Sequence, residues 1–147
     1  MDVLIKSVRI LDKNSSHHNE ETDVLVRKGK IAKIGAIDEA VEKEIDGKGM
    51  LLTIGWFDMR SNFCDPGLEF KEDLHSGMEA AAAGGFTGVA ILPNTQPTIQ
   101  SKNDIKYIVS HSAGHLVDVH PMAAVTKDAK GEDFTEMIDL HEAGAVA

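Results

Sequence analysis

Four side chains that could do chemistry alternate along one short stretch of the sequence, DMRSNFCDPG at residues 58–67. In an extended chain Asp58, Arg60 and Asn62 point to the same side, so we expect these side chains to converge. Arginine is protonated at ordinary pH and offers only donors, and an asparagine oxygen is a weak zinc ligand beside imidazole or thiolate. Cys64 could bind zinc as a thiolate, but it lies one alternation further along. Convergence of these side chains does not by itself make a metal site.

Two histidines, His111 and His115, have the His-x-x-x-His spacing that places both imidazoles on one helical face and can bind zinc. Gly114 lies between them at an expected helix end, and no acidic residue occupies the position that a metalloprotease uses. A solvated helix end is therefore favoured over a metal site. His75 and Glu79, four residues apart, likewise favour a surface pair over a catalytic one.

The first 54 residues predict a small β-rich module. VLIKSVRIL at 3–11 alternates imperfectly and is rich in β-branched side chains, which predicts a strand with one buried face. TDVLVRKGKIAKIG places two strand-like runs on either side of Lys28-Gly29, where Gly29 can supply the positive φ of a hairpin turn. AIDEAVEKEI at 36–45 predicts a short helix, and IDGKGMLLTIG predicts a further strand.

From Gly55 to residue 147 the pattern changes to strand-like runs that alternate with helical ones. The runs that predict strands are GWFDM, FTGVAIL and HLVDVHPMAAV, and the final AVA opens a fourth. The stretches with helical spacing are LEFKEDLHSGMEAAAAGG, SKNDIKYIVSHSAG and GEDFTEMIDLHEAG. Repeated strand-helix units predict an α/β fold with a parallel sheet and crossover helices.

Counting these units indicates a barrel that is incomplete. Three strand-helix units and the opening of a fourth are present, whereas an eight-unit (β/α)8 barrel typically needs about 250 residues. We therefore expect the chain to be part of a longer protein or a fragment that associates. Functional residues of such barrels lie after the C-terminal ends of the strands, which directs attention to residues 58–67, to Asn94 in LPNTQP and to His120. For Asn94 a turn-forming role beside Pro93 is an equally good alternative.

Composition restricts the classes of partner and compartment. The 24 acidic residues against 15 basic ones give a formal net charge of -9, which argues against nucleic acid or an anionic membrane surface as partner. The single cysteine, Cys64, excludes an intrachain disulfide and fits a reducing compartment. The N-terminal residues lack the long apolar core of a signal peptide. We expect a cytoplasmic protein.

GWFDMRSNFCDPGLEFKEDLHSGMEAAAAGGFTGVAILPNTQP, preceded by LVRKGKIAKIG and DGKGMLLTIG, resembles the longer bacterial type of the dihydroorotase family, in the amidohydrolase superfamily. The resemblance implies an N-terminal composite sandwich module, residues 1–54, and the first three to four units of a TIM-like barrel, residues 55–147. In that family the first barrel strand carries Asp-x-His-x-His-x-Arg-x-Pro-Gly, with two zinc-binding histidines and an arginine that holds the substrate carboxylate. Arg60 and Asn62 stand at the histidine positions and Cys64 at the arginine position, while Asn94 matches a substrate-binding asparagine.

These substitutions predict a degenerate member of the family with no catalytic residue in place and no zinc cofactor. Ring-opening hydrolysis of a cyclic amide needs a water made nucleophilic near neutral pH, which zinc supplies in this family. The resemblance then implies a structural or regulatory role in pyrimidine biosynthesis, with aspartate transcarbamoylase or a second copy of the chain as partner. The alternative is an active zinc-dependent dihydroorotase whose ligands come from a missing C-terminal part. Arg60 is expected to place a fixed positive charge where the metal charge would be.

Overall fold

The computed structural model describes all residues, Met1–Ala147, and the chain divides into two compact units, Met1–Ile54 and Gly55–Ala147. Each unit has a sheet and hydrophobic clusters of its own. None of the helices combines the length and apolar character that crossing a bilayer would require.

The first unit is a five-stranded mixed sheet built around its first strand. β1 (Val3–Leu11) pairs antiparallel with β2 (Glu21–Arg27), which pairs antiparallel with β3 (Lys30–Gly35). On its other side β1 pairs in parallel with β4 (Lys43–Asp46) and then with β5 (Leu51–Thr53). The predicted strand at 3–11 and the predicted hairpin are confirmed.

Two local features explain the shape of this sheet. Lys28 and Gly29, between β2 and β3, both have positive φ (51° and 73°), the conformation of the tight turns that match strand twist. A bulge in β1 places Ser7 at a φ of 54°, and the Ser7 N–H donates to Oδ1 of Asp23 (2.9 Å). The bulge shifts the alternation of β1, so Val8 packs on the same face as Ile5, which accounts for the imperfect pattern.

The helix predicted at 36–45 is wrong. The backbone N–H of Ile37 donates to Oδ2 of Asp23 (3.2 Å), and the Ile37 side chain is buried against Leu4 and Leu25. Residues 43–46 form β4 along the edge of β1. A ten-residue helix is marginal on its own, and the tertiary bonds offered by Asp23 and by β1 are the stronger alternative.

The second unit is a parallel three-stranded sheet with helices between the strands. The strands are β6 (Trp56–Ser61), β7 (Phe86–Ile91) and β8 (Asp118–Pro121), in the spatial order β6-β7-β8. The helices are α1 (Leu74–Ala83), α2 (Lys102–Ser112) and α3 (Met137–Ala143). The order β6-α1-β7-α2-β8-α3 is the repeated strand-helix pattern that the sequence predicts.

Caps decide where the helices begin and end. Asp73 caps α1 by accepting from the Ser76 N–H, and Ser101 caps α2 by accepting from the Asp104 N–H. α1 therefore begins at Leu74, six residues later than the apolar pattern suggested. α3 also begins later than predicted and ends at Gly144, which has a φ of 115°.

The core of the second unit lies between its sheet and its helices. Val89 and Ile91 of β7 pack there with Leu74, Met78, Ile105 and Ile108 from the helices. The predicted fourth strand at AVA is not formed as a strand. Residues 145–147 nevertheless lie beside the end of β8, because the Val146 N–H donates to Pro121 O (3.0 Å) and the Ala123 N–H donates to Ala147 O (2.7 Å).

Candidate functional site

A cavity of about 340 Å³ lies at the C-terminal end of β6. Asp58, Arg60, Ser61 and Asn62 all line it, at the end of β6 and in the loop that follows, where the pairing of β6 with β7 is irregular between Asp58 and Ser61. The cavity thus brings together the three residues whose alternation predicts convergence. Its remaining walls come from Phe63, from β7, from the segment just before α1 and from one face of α1, namely Glu72, Gly77, Ala80, Ala81, Phe86 and Val89.

The carboxylate of Asp58 is occupied by hydrogen bonds from its own loop. Oδ1 accepts from the backbone N–H of Arg60 (2.9 Å), and Oδ2 accepts from the hydroxyl of Ser61 (2.6 Å). These two donors, the Ser61 hydroxyl first, hold the pKa of Asp58 below its ordinary value. Asp58 is therefore an anion that shapes the loop, and it contacts Arg60 through the backbone and not through the guanidinium.

Arg60 and Asn62 are both exposed, and their side chains are left without partners in the chain. Arg60 takes part in none of the eight ion pairs of the structure. The Asn62 carboxamide makes no hydrogen bond to another residue of the chain. The cavity consequently offers a fixed cation and a neutral amide that are free to meet a ligand.

Cys64 does not line this cavity. Its backbone has a φ of 62°, its side chain is half-buried, and its carbonyl accepts from the Leu68 N–H (3.0 Å) as the chain turns away from β6. The cysteine therefore stands apart from Arg60 and Asn62.

Asp65 is the residue of this loop that sequence reasoning missed. Its side chain is only 6% exposed; Oδ2 accepts from the Leu74 N–H (3.1 Å), and Oδ1 accepts from the hydroxyl of Tyr107 (2.9 Å). The carboxylate fixes the loop to the first residue of α1 and to the middle of α2. The only available signal was an acidic residue inside an otherwise apolar and turn-forming stretch, FCDPG.

The loop after β6 packs directly on the loop after β7. Gln96 N–H donates to Pro66 O (3.0 Å), and a Cβ added to Gly67 would stand 1.5 Å from Gln96 O. In the second loop the Thr95 hydroxyl donates to Pro97 O (2.7 Å), so Thr95 supplies the turn-forming side chain bond. Asn94 is exposed and makes no side-chain hydrogen bond within the turn.

The histidines do not form a single cluster, although the rings of His75 and His115 lie 6.4 Å apart. His120 is half-buried on β8 with its ring 5.3 Å from that of Phe57. His111 is bonded through Nδ1 to Tyr107 O (2.8 Å). His115 accepts the Val117 N–H at Nδ1 (3.1 Å) and directs Nε2 to Glu79 (3.2 Å), so neither of its nitrogens has a lone pair free for a metal.

The residues around the cavity do not fit zinc. No imidazole or thiolate lines it and Arg60 has no lone pair to give, so the only anionic groups are the carboxylates of Asp58 and Glu72, short of the set of nitrogen and sulfur ligands that zinc sites use. Elsewhere in the chain, no three side chains of His, Cys, Asp or Glu are grouped closely enough to hold a metal ion.

A family model described as Dihydro-orotase-like matches residues 49–147, about two-thirds of the chain. The chain belongs to the dihydroorotase-like family. It is 45% identical over 150 residues to the dihydroorotase of Geotalea daltonii and 43% identical over 150 residues to that of Citrifermentans bemidjiense. Both alignments cover 100% of this chain and 35% of the relative. The dihydroorotase-like chain thus spans about a third of the length of the curated relatives it matches.

Solved structures place the fold among the amidohydrolases. The L-hydantoinase (dihydropyrimidinase) of Arthrobacter aurescens superposes with a TM-score of 0.75 at 27% identity, covering 98% of this chain and 31% of that one. A crystal structure of a dihydroorotase matches with a TM-score of 0.63 at 14% identity over 97% of this chain and 38% of that one, a likeness of fold alone. The α/β architecture is that of the N-terminal part of such structures.

Proposed function

We propose that this dihydroorotase-like chain is a non-catalytic member of its family that works in pyrimidine biosynthesis as a structural or regulatory protein. The observation that carries the proposal is the lining of the cavity after β6. Arg60 and Asn62 occupy the wall where the family pattern has histidines, and neither can replace an imidazole as a zinc ligand.

The loss of a zinc centre would remove the source of the nucleophile. Zinc lowers the pKa of a bound water to about 7, which makes hydroxide available near neutral pH. Asp58 is a poor substitute as general base, because its pKa is held below the ordinary value and a good base has a pKa near the working pH. The cavity can bind and orient a small molecule, and it lacks a group that would activate water.

The partner that we propose is aspartate transcarbamoylase, with self-association as the alternative. The family resemblance supports aspartate transcarbamoylase as the partner, since a dihydroorotase-like protein that has lost catalysis is expected to act by assembling with another protein. Such a complex would place the chain in the cytoplasm. Its test is co-purification of tagged chain with aspartate transcarbamoylase from the same cells, and recovery of the chain alone at every salt concentration would contradict this partner.

Metal analysis together with a dihydroorotate hydrolysis assay tests the loss of activity. We expect the purified protein to hold far less than one zinc per chain and to show no turnover at a rate typical of enzymes. The dihydroorotase of Geotalea daltonii, handled identically, is the positive control. Stoichiometric zinc together with turnover comparable to the control would overturn the proposal.

An active cyclic amidohydrolase with metal ligands from another part of the protein is the second candidate. It is favoured by Asn94, which is exposed and free of side-chain bonds at the end of β7, where a substrate contact is expected. Under this alternative, Asn94→Ala would lower kcat/KM for dihydroorotate, whereas the preferred proposal expects no turnover to lower.

A further inference from the structure

The imidazole of His115 fastens the turn between α2 and β8. Its Nδ1 accepts from the backbone N–H of Val117 (3.1 Å), and its Nε2 lies 3.2 Å from Oε1 of Glu79 on α1. The side chain of His115 is only 17% exposed. One ring therefore ties the turn both to its own backbone and to the neighbouring helix.

These two contacts fix the protonation state of the ring. A neutral imidazole has one donor nitrogen and one acceptor nitrogen, and Nδ1 can accept from Val117 only when it carries no proton. The proton of neutral His115 is therefore on Nε2, which donates to the carboxylate of Glu79. The turn as it stands requires the neutral ring.

A second proton on His115 breaks one contact and keeps the other. It binds to Nδ1, which then becomes a donor facing the N–H of Val117, and two donors cannot form a hydrogen bond with each other. Nε2 still donates to Glu79, now as part of an ion pair. The Glu79 side chain is 62% exposed, and such a pair contributes less than the buried N–H of Val117 loses when its acceptor disappears. Protonation therefore favours an open turn.

Other titratable groups close to this ring lie on α1, α2 and β8. On α1 the ring of His75 lies 6.4 Å from that of His115, so protonation of both would place two cations side by side. On α2, His111 bonds through Nδ1 to Tyr107 O (2.8 Å). Asp118, the first residue of β8, is exposed and forms no ion pair. The groups that act on the charge of the ring are thus a carboxylate in its favour and a histidine against it, both on α1.

Opening of this turn would release the start of β8. Val117 is 1% exposed and packs in the core of the second unit, and the next residue, Asp118, is paired with Gly88 of β7. The N–H of Val117 is the last backbone donor before the strand. Its bond to His115 therefore fixes the place where the chain enters the sheet.

We propose that His115 is a pH-sensitive link between α1 and the entry of β8, in which the neutral ring holds the N–H of Val117 and the protonated ring releases it while staying bonded to Glu79. The link acts in the pH range in which histidines titrate. It goes beyond the proposed function and does not depend on it, since none of these residues lines the cavity after β6.

Amide hydrogen exchange at Val117 in the native protein tests the link. We expect the protection factor of this amide to fall at least about threefold from about pH 7.5 to about pH 5.5, and by no more than about tenfold per pH unit, because opening takes up one proton. The amide of Val89 on β7, in the same core, is the internal control and should keep its protection. An equal fall at both amides would mean that the whole unit loosens, which contradicts a local link.

Three variants distinguish a titrating link from a purely structural contact. His115→Asn places an amide oxygen close to the position of Nδ1 and cannot gain a proton, so Val117 should stay protected at both pH values. His75→Gln removes the neighbouring positive charge and should move the fall in protection to higher pH. Glu79→Gln removes the negative charge and should move it to lower pH. Shifts of the same sign in the last two variants would count against the proposal.

His111→Asn is the matched control, because it removes an exposed histidine of α2 whose ring bonds to Tyr107 O. It should leave the pH dependence at Val117 unchanged. Constant protection of Val117 in the native protein, or a pH dependence that survives in His115→Asn, would overturn the link. So would an imidazole ¹⁵N spectrum of the native protein at about pH 8 that places the His115 proton on Nδ1. Two of these readouts use the native protein, so they stand even if a variant fails to fold.

Discussion

The buried carboxylate of Asp65 joins the loop after β6 to two helices at once. It accepts from the Leu74 N–H at the start of α1 and from the Tyr107 hydroxyl on α2. Asp65 follows shortly after Arg60 and Asn62, so the same two bonds fix the course of the loop that carries them. Asp65 is a positioning residue for the cavity, although it does not line it.

The titration of the Tyr107 hydroxyl measures this link directly, because Tyr107 is the only tyrosine of the chain. Burial first, and then its hydrogen bond to Asp65, raise the pKa of the Tyr107 hydroxyl. A raised pKa contributes stability that is complete below the unfolded value of about 10 and is lost as pH rises through the folded value. We expect the tyrosinate absorbance to appear at higher pH in folded than in unfolded protein.

Asp65→Asn should lower the pKa of Tyr107 part of the way, since it removes the carboxylate and leaves the burial. Asp118→Asn is the control, because Asp118 is an exposed carboxylate on β8 with no bond to Tyr107. A Tyr107 titration that is identical in native protein and Asp65→Asn would show that the link is absent in solution.

The importance of Asp65 was not predictable from its neighbours in sequence. Its partners Leu74 and Tyr107 lie 9 and 42 residues away, and only the packing of α1 and α2 brings them to it. Arg60 and Asn62 were predictable as a pair, because alternation along an extended chain is a local property. Local geometry thus identified the wall of the cavity and not the residue that holds it in place.

At the scale of elements, the contact between the loops after β6 and β7 depends on one glycine. Gly67 has a φ of 91°, and an added Cβ would stand 1.5 Å from Gln96 O. Gly67→Ala therefore meets both an unfavourable backbone conformation and a collision with backbone. We expect a loss in the free energy of unfolding of more than about 3 kcal/mol, as severe clashes and special φ values give, measured by urea denaturation.

Gly85→Ala separates the two contributions. Gly85 has a similar φ of 83°, but nothing lies within 4 Å of the position of an added Cβ. Its substitution should cost only about 1–2 kcal/mol, the ordinary penalty of a left-handed conformation. Equal losses for the two variants would mean that the loops are not in contact.

Elements with strong local signals were predicted correctly, and those decided by distant bonds were not. The Lys28-Gly29 turn and the helical spacing of α2 are encoded within a few residues. The 36–45 segment carries a weak helical pattern that is overridden by Asp23 and by the edge of β1. The start of α1 was misplaced because the apolar pattern runs on before Asp73, where the cap begins the helix.

At the scale of the whole molecule, apolar side chains are exposed along an edge strand. β6 is at one end of the order β6-β7-β8, and its side chains Trp56, Phe57 and Met59 are 61%, 50% and 74% exposed. An edge strand with exposed apolar residues favours pairing with another chain, and a lysine on such an edge opposes it. We expect Met59→Lys to reduce concentration-dependent association in sedimentation velocity, with the free energy of unfolding changed by less than about 0.5 kcal/mol.

Leu116→Lys is the matched control, because Leu116 is also 74% exposed but lies in the segment between α2 and β8. It adds the same charge and removes a similar apolar side chain away from the strand edge. If both variants reduce association equally, the cause is net charge and not the edge of β6.

The parallel strand-helix order of the second unit was predictable as a whole because each βα unit repeats the same periodicity. The periodicity of residues 55–147 cannot predict whether further strands cover this unit. The whole chain, with its first unit included, covers 31% and 38% of two of these solved structures.

The division into two units has a practical consequence for anyone who follows denaturation by optical methods. The single tryptophan, the single tyrosine and all five phenylalanines lie between positions 55 and 147. Intrinsic fluorescence and near-ultraviolet dichroism therefore report on that part alone, and the N-terminal sheet is spectroscopically silent except in the far ultraviolet. A single sigmoidal fluorescence curve would say nothing about whether the first 54 residues melt at the same temperature.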